Sequence, residues 1–284
     1  MIPRILTVAG SDSGGGAGIQ ADLKTIALLG GFGMSAVTAL TAQNTRGVKG
    51  ILEVPADFVA LQMDVVISDI GVDAMKTGML GSPAIIRTVC QKIRRYRISR
   101  VVVDPVMVAK GGARLLAPEA GEVIKRELIP LAQIITPNIP ESEVLTGRKI
   151  KGVREMQQAA KQIHGMGARH VLIKGGHLRG DAVDVLYDGR KFFEFPGARI
   201  STPHGHGTGC TLSAVLALEL AKGHSPRQAV ESAKAFITSA IQFSLPLGQG
   251  HGPAQQPHAI HTGHAQVGQH DVDGRGLEDL CRLL

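Results

Sequence analysis

The chain alternates between short apolar runs and longer segments in which apolar residues recur every three or four positions. Short runs bounded by glycine, proline or polar residues are typical of strands, and the longer spacing is typical of helices. We predict strands over residues 5–10, 34–43, 74–80, 100–107, 132–138 and 170–174, and a hairpin over 181–188 and 191–195. We predict helices over residues 19–29, 57–68, 83–96, 119–128, 153–165, 212–222 and 226–243.

Alternation of strands with helices predicts an α/β fold, with a mostly parallel central sheet between two layers of helices. In such sheets, ligands bind beyond the carboxyl ends of the strands. Polar residues, glycines and a methionine that point to a binding site stand at the ends of the predicted strands: Gly10, Gln43, Met79, Asp104, Asn138 and Lys174. We therefore expect one shared crevice at that edge of the sheet.

A glycine-rich turn, residues 204–211, runs straight into the predicted helix 212–222. Free backbone amides and the helix dipole make such a turn a seat for phosphate, which assigns Gly207, Thr208 and Gly209 to phosphate binding. Cys210 lies at the same positive end, where the pKa of a thiol is expected to fall. The alternative is a tight turn followed by a small core cysteine.

Two carboxylates and one lysine are candidates for phosphate chemistry. Asp104 ends a strand and Glu141 follows Asn138, and carboxylate oxygens are ligands of Mg²⁺. Lys174 ends another apolar strand, where its point charge suits nucleotide phosphates. The alternatives are a turn acid at Asp104, a helix N-terminal acid at Glu141 and a surface lysine at Lys174.

Residues 11–18 form a second glycine-rich loop between a strand and a helix. The loop resembles a dinucleotide-binding fingerprint, but its glycines are out of phase and no acidic residue ends a following strand. We do not expect a dinucleotide site.

Composition narrows the class of protein. The chain has 284 residues, of which 3% are aromatic and none is Trp, so its core must be aliphatic, which favours buried parallel strands. The net charge is +7, but the cations are scattered and the cluster at residues 92–100 is interpreted as a solvated helix face, not a nucleic-acid site. No apolar run approaches the ~20 residues of a membrane helix. Three unpaired-looking cysteines and no signal peptide indicate a cytoplasmic protein.

The character of the chain changes after residue 247. Residues 1–247 are predicted to form the folded domain, and residues 248–284, rich in Gly, Gln and His, a poorly ordered tail. The tail histidines lack the spacing of a metal site, and we do not expect one there.

The motifs together resemble the ribokinase-like superfamily and, within it, the hydroxymethylpyrimidine/phosphomethylpyrimidine kinases of thiamine biosynthesis. The matching strings are residues 8–22, 38–45, 76–80, 104–107, 136–138, 174–177, 206–214 and 250–253. They run in unbroken order over most of the chain. The resemblance implies a three-layer α/β/α fold, an ATP- and Mg²⁺-dependent kinase, and a homodimer. The implied reaction phosphorylates 4-amino-5-hydroxymethyl-2-methylpyrimidine and then its monophosphate.

The resemblance also implies roles for individual residues. Gln43 would hydrogen-bond the amino group and ring nitrogen of the pyrimidine, and Asp22 would bind its hydroxymethyl or amino group. The remaining implied roles are pocket lining by Gly10, Met79 and Val106, ATP binding by Asn138 and Lys174, Mg²⁺ binding by Asp104 and Glu141, and a catalytic base at Cys210. Two alternatives stay open: a pyridoxal/pyridoxine kinase of the same superfamily, and a non-catalytic ligand-binding sensor.

Overall fold

The computed structural model describes residues 1–107, 115, 117, 119–178 and 180–254. Within these residues, nine strands form one sheet. They are β1 (Arg4–Asp12), β2 (Phe32–Asn44), β3 (Gly47–Glu53), β4 (Ala74–Thr77), β5 (Val101–Val103), β6 (Ile134–Ile135), β7 (His170–Ile173), β8 (Asp184–Tyr187) and β9 (Phe192–Phe195). The helices are α1 (Gly18–Leu28), α2 (Ala56–Asp69), α3 (Pro83–Arg95), α4 (Ala120–Val123), α5 (Ile139–Thr146), α6 (Val153–His164), α7 (Thr208–Ala221) and α8 (Pro226–Gln242).

The order of the strands in the sheet is β3-β2-β1-β4-β5-β6-β7-β8-β9. The six strands β2-β1-β4-β5-β6-β7 are parallel to one another. At one edge β3 pairs antiparallel with β2, and at the other β8 pairs antiparallel with β7 and β9 with β8. The direction of winding reverses at β1, which has β2 on one side and β4 on the other. A crevice opens at such a reversal, beyond the carboxyl ends of the strands.

Two apolar cores lie on opposite faces of the sheet. On one face, α2 to α6 pack against side chains such as Leu6, Val103 and Val171. On the other face, α1, α7 and α8 pack against Ile5, Val102 and related positions. The alternation of inward and outward side chains along each strand sends neighbouring residues to different cores. The predicted three-layer arrangement is therefore confirmed.

Helix α7 is the element that brings the phosphate turn to the sheet. Every residue from Thr211 to Leu220 is buried, as expected for a helix that is apolar all round. It packs against α1 and α8 on its flanks and against β1, β4 and β5 below. Its N-terminus therefore lies over the carboxyl ends of the central strands.

Two elements of the structure, β3 and α5, were not predicted from the sequence. Strand β3 has no buried residue, so its sequence carries no alternating apolar pattern. Helix α5 is only eight residues long and follows β6 closely, and the sequence indicated it only through the helix N-terminal alternative for Glu141. The predicted helix 119–128 becomes α4 followed by a wider π-helical turn, Ile124–Leu128.

Candidate active site

One large cavity opens at the carboxyl edge of the sheet, above the reversal at β1. Its volume is about 750 Å³, a size usual for small-molecule sites. Of the residues predicted to form the site, it is lined by Gly10, Gln43, Met79, Val106, Asn138, Glu141, Lys174, Gly207, Thr208, Gly209 and Cys210. The structure thus brings together eleven of the thirteen predicted residues in one crevice, and the exceptions are Asp22 and Asp104.

The turn before α7 has the geometry of an anion site. Gly207 adopts the left-handed conformation, with φ of 81°, and a Cβ atom there would lie 1.8 Å from the carbonyl oxygen of Gly16. Helix α7 begins at the next residue, and no side chain caps its first amides. Amides at the positive end of a helix attract anions. The backbone N–H groups of Thr208, Gly209 and Cys210 are therefore available to a phosphate.

Cys210 lines the cavity from the first turn of α7, half-buried. The backbone N–H of Gly18 lies near its sulfur and acts to lower the pKa of the thiol. Burial raises the pKa of the thiol to about 11, against the opposing charge of Lys76. The expectation of a lowered thiol pKa is therefore wrong, because lost hydration outweighs the helix dipole and the nearby lysine. Cys210 is a neutral thiol at pH 7.

A sealed ion pair, Lys76 with Asp22, lies beneath the substrate side of the cavity. Nζ of Lys76 lies 3.0 and 2.9 Å from the two carboxylate oxygens of Asp22. The hydroxyl of Thr7 donates to the same carboxylate at 2.6 Å. Both charged side chains are 0% exposed. Lys76 and Thr7 occupy the carboxylate of Asp22, and Lys76, not Asp22, lines the cavity. The predicted contact of Asp22 with the substrate stays a prediction.

A second, open pair lies beside the phosphate turn. Nζ of Lys174 is 2.9 Å from Oδ1 of Asp104, and Thr136 donates to that oxygen at 3.2 Å. Burial acts to lower the pKa of Lys174, but the carboxylates of Asp104 and Glu141 outweigh it and the net shift is upward. The lysine is therefore charged and faces the cavity. Asp104 lies behind it and does not line the cavity, so the predicted metal ligand Asp104 is held by Lys174.

Asn138 and Glu141 form a capping box at the start of α5. Each donates its backbone N–H to the other's side chain, at 2.8 Å in both directions. Burial raises the pKa of Glu141 to about 7. The helix N-terminal alternative for Glu141 is thus confirmed, and only one of its carboxylate oxygens is used by the cap. Over the described part of the chain, no group of three or more His, Cys, Asp or Glu side chains is arranged to hold a metal.

The substrate side of the cavity is narrow and mostly apolar. A Cβ atom on Gly10 would lie 3.1 Å from the sulfur of Met79, so a glycine keeps space over that side chain. Thr38 fixes the backbone of Met79 by donating to its carbonyl at 2.6 Å. Gln43 supplies an amide and Val106 an apolar wall. The arrangement suits a small flat ring with hydrogen-bonding edges.

Neither Asp12 nor His206 is among the residues predicted from the sequence, although both line the cavity. The carboxylate of Asp12 accepts hydrogen bonds from the amides of three loop residues, Gly14, Gly16 and Ala17. Burial acts to raise the pKa of Asp12, but the bonds from His206 and from these amides outweigh it and the pKa is lowered. The sequence signal for Asp12 is an acid directly before a glycine turn.

His206 connects this loop to the substrate side. Its Nε2 lies 2.9 Å from Oδ2 of Asp12 and 3.1 Å from Nε2 of Gln43. Gly16 packs against the ring, because a Cβ atom there would lie 2.6 Å from its Cδ2. The loop after β1 and the phosphate turn therefore form one connected wall.

Residues 248–254 also belong to this wall. The amide of His206 donates to the carbonyl of Gly252, and the amide of Ala254 donates back to the carbonyl of His206, both at 3.1 Å. The amide of His251 donates to the carbonyl of Thr45 at 2.8 Å. The predicted boundary at residue 247 is therefore too early. The rest of the predicted tail lies outside the described residues.

The sequence model of a family described as phosphomethylpyrimidine kinase matches residues 12–255. The chain belongs to this kinase family. The match ends one residue after the last described segment. It takes in every string of the predicted resemblance except the first four residues of the string 8–22, which precede it.

Relatives agree with this assignment to the kinase family. The chain is 57% identical over 250 residues to a thiamine biosynthesis bifunctional protein, ThiED, of Geobacter sulfurreducens, which covers 88% of this chain and 51% of that protein. It therefore spans about half the length of that relative. It is 50% identical to the hydroxymethylpyrimidine/phosphomethylpyrimidine kinase of Bacillus subtilis, over 89% of this chain and 94% of that protein.

The kinase fold is shared with a solved structure, an ADP complex of Bacillus subtilis pyridoxal kinase. The two superpose with a TM-score of 0.85 at 44% identity, over 90% of this chain and 98% of the other. The predicted ribokinase-like fold is thus confirmed. None of the described helices combines the length and the apolarity that crossing a lipid bilayer requires.

Proposed function

We propose that the protein transfers the γ-phosphoryl group of ATP to 4-amino-5-hydroxymethyl-2-methylpyrimidine, and then phosphorylates the monophosphate to the diphosphate, in thiamine diphosphate biosynthesis. One observation carries this proposal beyond family membership. The thiol of Cys210 and the free amides of α7 face the same cavity as Gln43 and Met79. The same cavity therefore contains a candidate base, a binding site for the transferred phosphoryl group and a site for a flat ring.

The proposed chemistry follows from the first turn of α7. The amides of Thr208 and Gly209 stabilise the charge that develops on the transferred phosphoryl group. In its thiolate form, Cys210 accepts the proton of the substrate hydroxyl. The thiol must first release its own proton to the solvent, which the charge of Lys76 favours. Because phosphoryl transfer has a loose transition state, the hydroxyl proton leaves late and a strong base is not required.

The nucleotide is proposed to extend from the phosphate turn into a second cavity of about 260 Å³. This cavity shares Asn138, Lys174, Thr208 and Gly209 with the first one, and Leu212 and Ile237 add apolar walls. An apolar cleft that opens beside an ammonium group and free amides suits a nucleoside with its phosphates.

Mg²⁺ fits the donors at this end of the site. Glu141 keeps one carboxylate oxygen outside its capping box, and Asp104 is close enough to affect its pKa. Mg²⁺ is usually bound through one or two carboxylates together with substrate phosphates. We propose that Glu141 and Asp104 hold the ion, with Lys174 turning from Asp104 to the nucleotide. The ion would neutralise charge on the phosphates.

A second phosphorylation needs room for the phosphate that the first one added. Residues 11–18 are the proposed cover for it, because their loop lines the substrate side through Ser11, Asp12, Ala17 and Gly18. Turnover of the alcohol without turnover of the monophosphate, in a purified-enzyme assay, would remove this part of the proposal.

The deciding experiment incubates the protein with ATP, Mg²⁺ and the hydroxymethylpyrimidine. Phosphates on the product are counted by ³¹P NMR and mass spectrometry, and we expect the diphosphate. Absence of ATP consumption would support the sensor alternative and overturn the kinase proposal.

A pyridoxal kinase activity is the second candidate, favoured by the likeness to the Bacillus subtilis structure. Gln43 and Met79 favour the pyrimidine, because the amide pairs with an amino group beside a ring nitrogen. Turnover of the two compounds side by side separates the candidates. A higher kcat/KM for pyridoxal would reverse the assignment.

We also infer a homodimer in the cytoplasm. Helix α2 exposes Phe58, Leu61 and Val65 along one face, and β3 exposes Ile51 and Leu52. Adjacent exposed apolar groups are typical of a surface that a second copy covers. A catalytic thiol at Cys210 must stay reduced, which favours the cytoplasm. Light scattering of the purified protein tests the dimer, and a monomeric mass would contradict it.

A further inference from the structure

The contact between His206 and Gln43 determines which way the Gln43 amide faces. A glutamine amide carries an acceptor oxygen and a donor nitrogen of nearly equal size. The structure has Nε2 of Gln43 3.1 Å from Nε2 of His206, and Oε1 of Gln43 3.2 Å from the hydroxyl of Thr41. Whether these contacts are hydrogen bonds depends on where the protons of the two partners lie.

The proton of His206 is on the nitrogen that faces Asp12. The carboxylate of Asp12 accepts the amides of Gly14, Gly16 and Ala17, with distances of 2.8, 3.1 and 2.9 Å. A carboxylate that accepts several backbone amides is ionised. An ionised Asp12 only accepts, so Nε2 of His206, 2.9 Å from Oδ2, must donate.

The proton of Thr41 is also committed. The hydroxyl has one hydrogen, and it donates to the carbonyl of Ser11 at 2.8 Å. The oxygen of Thr41 can therefore accept from Gln43 but has no proton for it. On the other side, the protonated Nε2 of His206 can donate to Gln43 but has no lone pair for it.

Only one orientation of the Gln43 amide satisfies both neighbours. Its oxygen must face His206, sharing the Nε2 proton with Asp12 in a three-centre bond, and its nitrogen must donate to Thr41. The opposite orientation sets two donors against each other at His206 and two acceptors against each other at Thr41. One lone pair of the oxygen and one N–H of the nitrogen are left for the cavity, which Gln43 lines.

We propose that Asp12 and His206 are positioning residues that fix the amide orientation of Gln43, and thereby select a ring that presents an amino group beside a ring nitrogen. This inference rests on the proposed function. An amide free to turn over accepts either order of donor and acceptor on the ring, whereas a fixed amide accepts one. Selectivity for the aminopyrimidine edge therefore depends on His206, which itself need not touch the ring.

The test compares two alcohols, 4-amino-5-hydroxymethyl-2-methylpyrimidine and the same ring without its 4-amino group. For the wild-type protein, the ratio of the two kcat/KM values measures what the amino group contributes. His206→Leu is expected to lower this ratio about tenfold, the usual value of one hydrogen bond. His206→Gln places an amide nitrogen near the position of Nε2 and is expected to restore most of it. His224→Leu, beyond the far end of α7, is the matched control and should leave the ratio unchanged.

The outcomes separate the inference from the proposed function. If His206→Leu lowers both kcat/KM values equally, the residue is only structural and the inference is overturned. If the wild-type protein phosphorylates neither alcohol, the proposed function fails, and the inference fails with it. A second measurement needs no variant. In the wild-type protein, nuclear Overhauser contacts from the Gln43 side-chain NH₂ to Thr41 support the proposed orientation, and contacts to the His206 ring overturn it.

Discussion

Lys76–Asp22 and Lys174–Asp104 are the same chemical pair at two depths. In the sealed pair, both side chains are 0% exposed, and the ammonium contacts both carboxylate oxygens. In the open pair, the lysine side chain is 16% exposed and contacts one oxygen. The sealed pair lies beneath the substrate side of the cavity, and the open pair lies beside the phosphate turn.

The difference in depth separates two uses of a buried charge. Burial acts to lower the pKa of Lys76, but Asp22 outweighs it and the net shift is upward. That lysine stays charged and adds its positive charge to the field at Cys210, because both carboxylate oxygens of Asp22 hold it. Lys174 can exchange its carboxylate for an incoming phosphate, since it already faces the cavity. One pair sets the field of the site and the other takes part in binding.

The largest expected effect on stability comes from removing the lysine of the sealed pair. Lys76→Met leaves Asp22 buried without a counter-charge, which should lower the free energy of unfolding by about 3–5 kcal/mol. Lys174→Met is the matched change, and we expect a loss of about 1–2 kcal/mol, because Lys174 is partly exposed and contacts only one oxygen of Asp104. Urea unfolding of both variants measures the difference. Equal losses would contradict the division between a sealed and an open pair.

Cys210, on which the charges of both lysines act, should show the largest effect on turnover. We expect Cys210→Ala to lower kcat about 10²- to 10⁴-fold, as for the loss of a general base. ATP and the pyrimidine should still bind, because the amides of α7 and the side chain of Gln43 are unchanged. Calorimetry and steady-state kinetics measure the two quantities. A kcat within tenfold of the wild-type value would exclude Cys210 as the base.

Glu141, next to the open pair, should make stability depend on pH. Its folded-state pKa of about 7 lies above the ordinary value of 4.5, so the folded protein binds this proton more tightly than the unfolded chain does. The contribution is fully present below about pH 4.5 and is lost as the pH rises to about 7. The loss is roughly 3 kcal/mol at most.

Glu141→Gln removes this titration and keeps the shape of the capping box. The free energy of unfolding of the variant should therefore fall less than that of the wild type between pH 4.5 and 7. Glu143→Gln is the control, because hydrogen bonds from Ile150 and Lys149 lower the pKa of Glu143 and it makes no such contribution. Parallel pH profiles for wild type and Glu141→Gln would contradict the assignment.

The smallest expected effect concerns the binding of nucleotide. Lys174→Met should raise the KM for ATP about 10- to 100-fold, the value of a charge-assisted hydrogen bond. The KM for the pyrimidine should change little, because Lys174 lies at the other end of the cavity. Substrate titrations at saturating co-substrate measure both. A selective rise in the KM for the pyrimidine would contradict the proposal that Lys174, in the open pair, binds the nucleotide.

The sequence predicted what depends on local pattern. The runs that became β1, β4, β5 and β7 are apolar because both faces of the sheet are covered. The helix predicted over residues 212–222 begins four residues earlier in the structure, at Thr208 of α7. The prediction was late because part of the glycine-rich turn already lies in the helix. Strand β3 escaped prediction because its side chains are exposed, and local pattern reports burial only.

The pairings in the site that the sequence did not show arise where two distant segments meet. Asp22 and Lys76 are 54 positions apart, and Asp12 and His206 are 194 apart. Nothing within either segment shows that the carboxylate is already paired. For Cys210, the helix dipole was visible in the sequence, but the burial that outweighs it depends on the packing of α7 against the sheet.

The segment 248–254 is needed to complete the wall of the cavity, so it sets how far the chain can be shortened from its C-terminal side. Its backbone hydrogen bonds connect the phosphate turn at His206 to Thr45, the residue directly after β2. Removing the residues after 247 would delete Gly252 and Ala254, the backbone hydrogen-bond partners of His206. The turn that carries the amides of α7 would then be held less firmly. A shortened version intended for crystallisation or fusion should therefore retain Ala254, even though a cut at 247 would leave every named helix and strand intact.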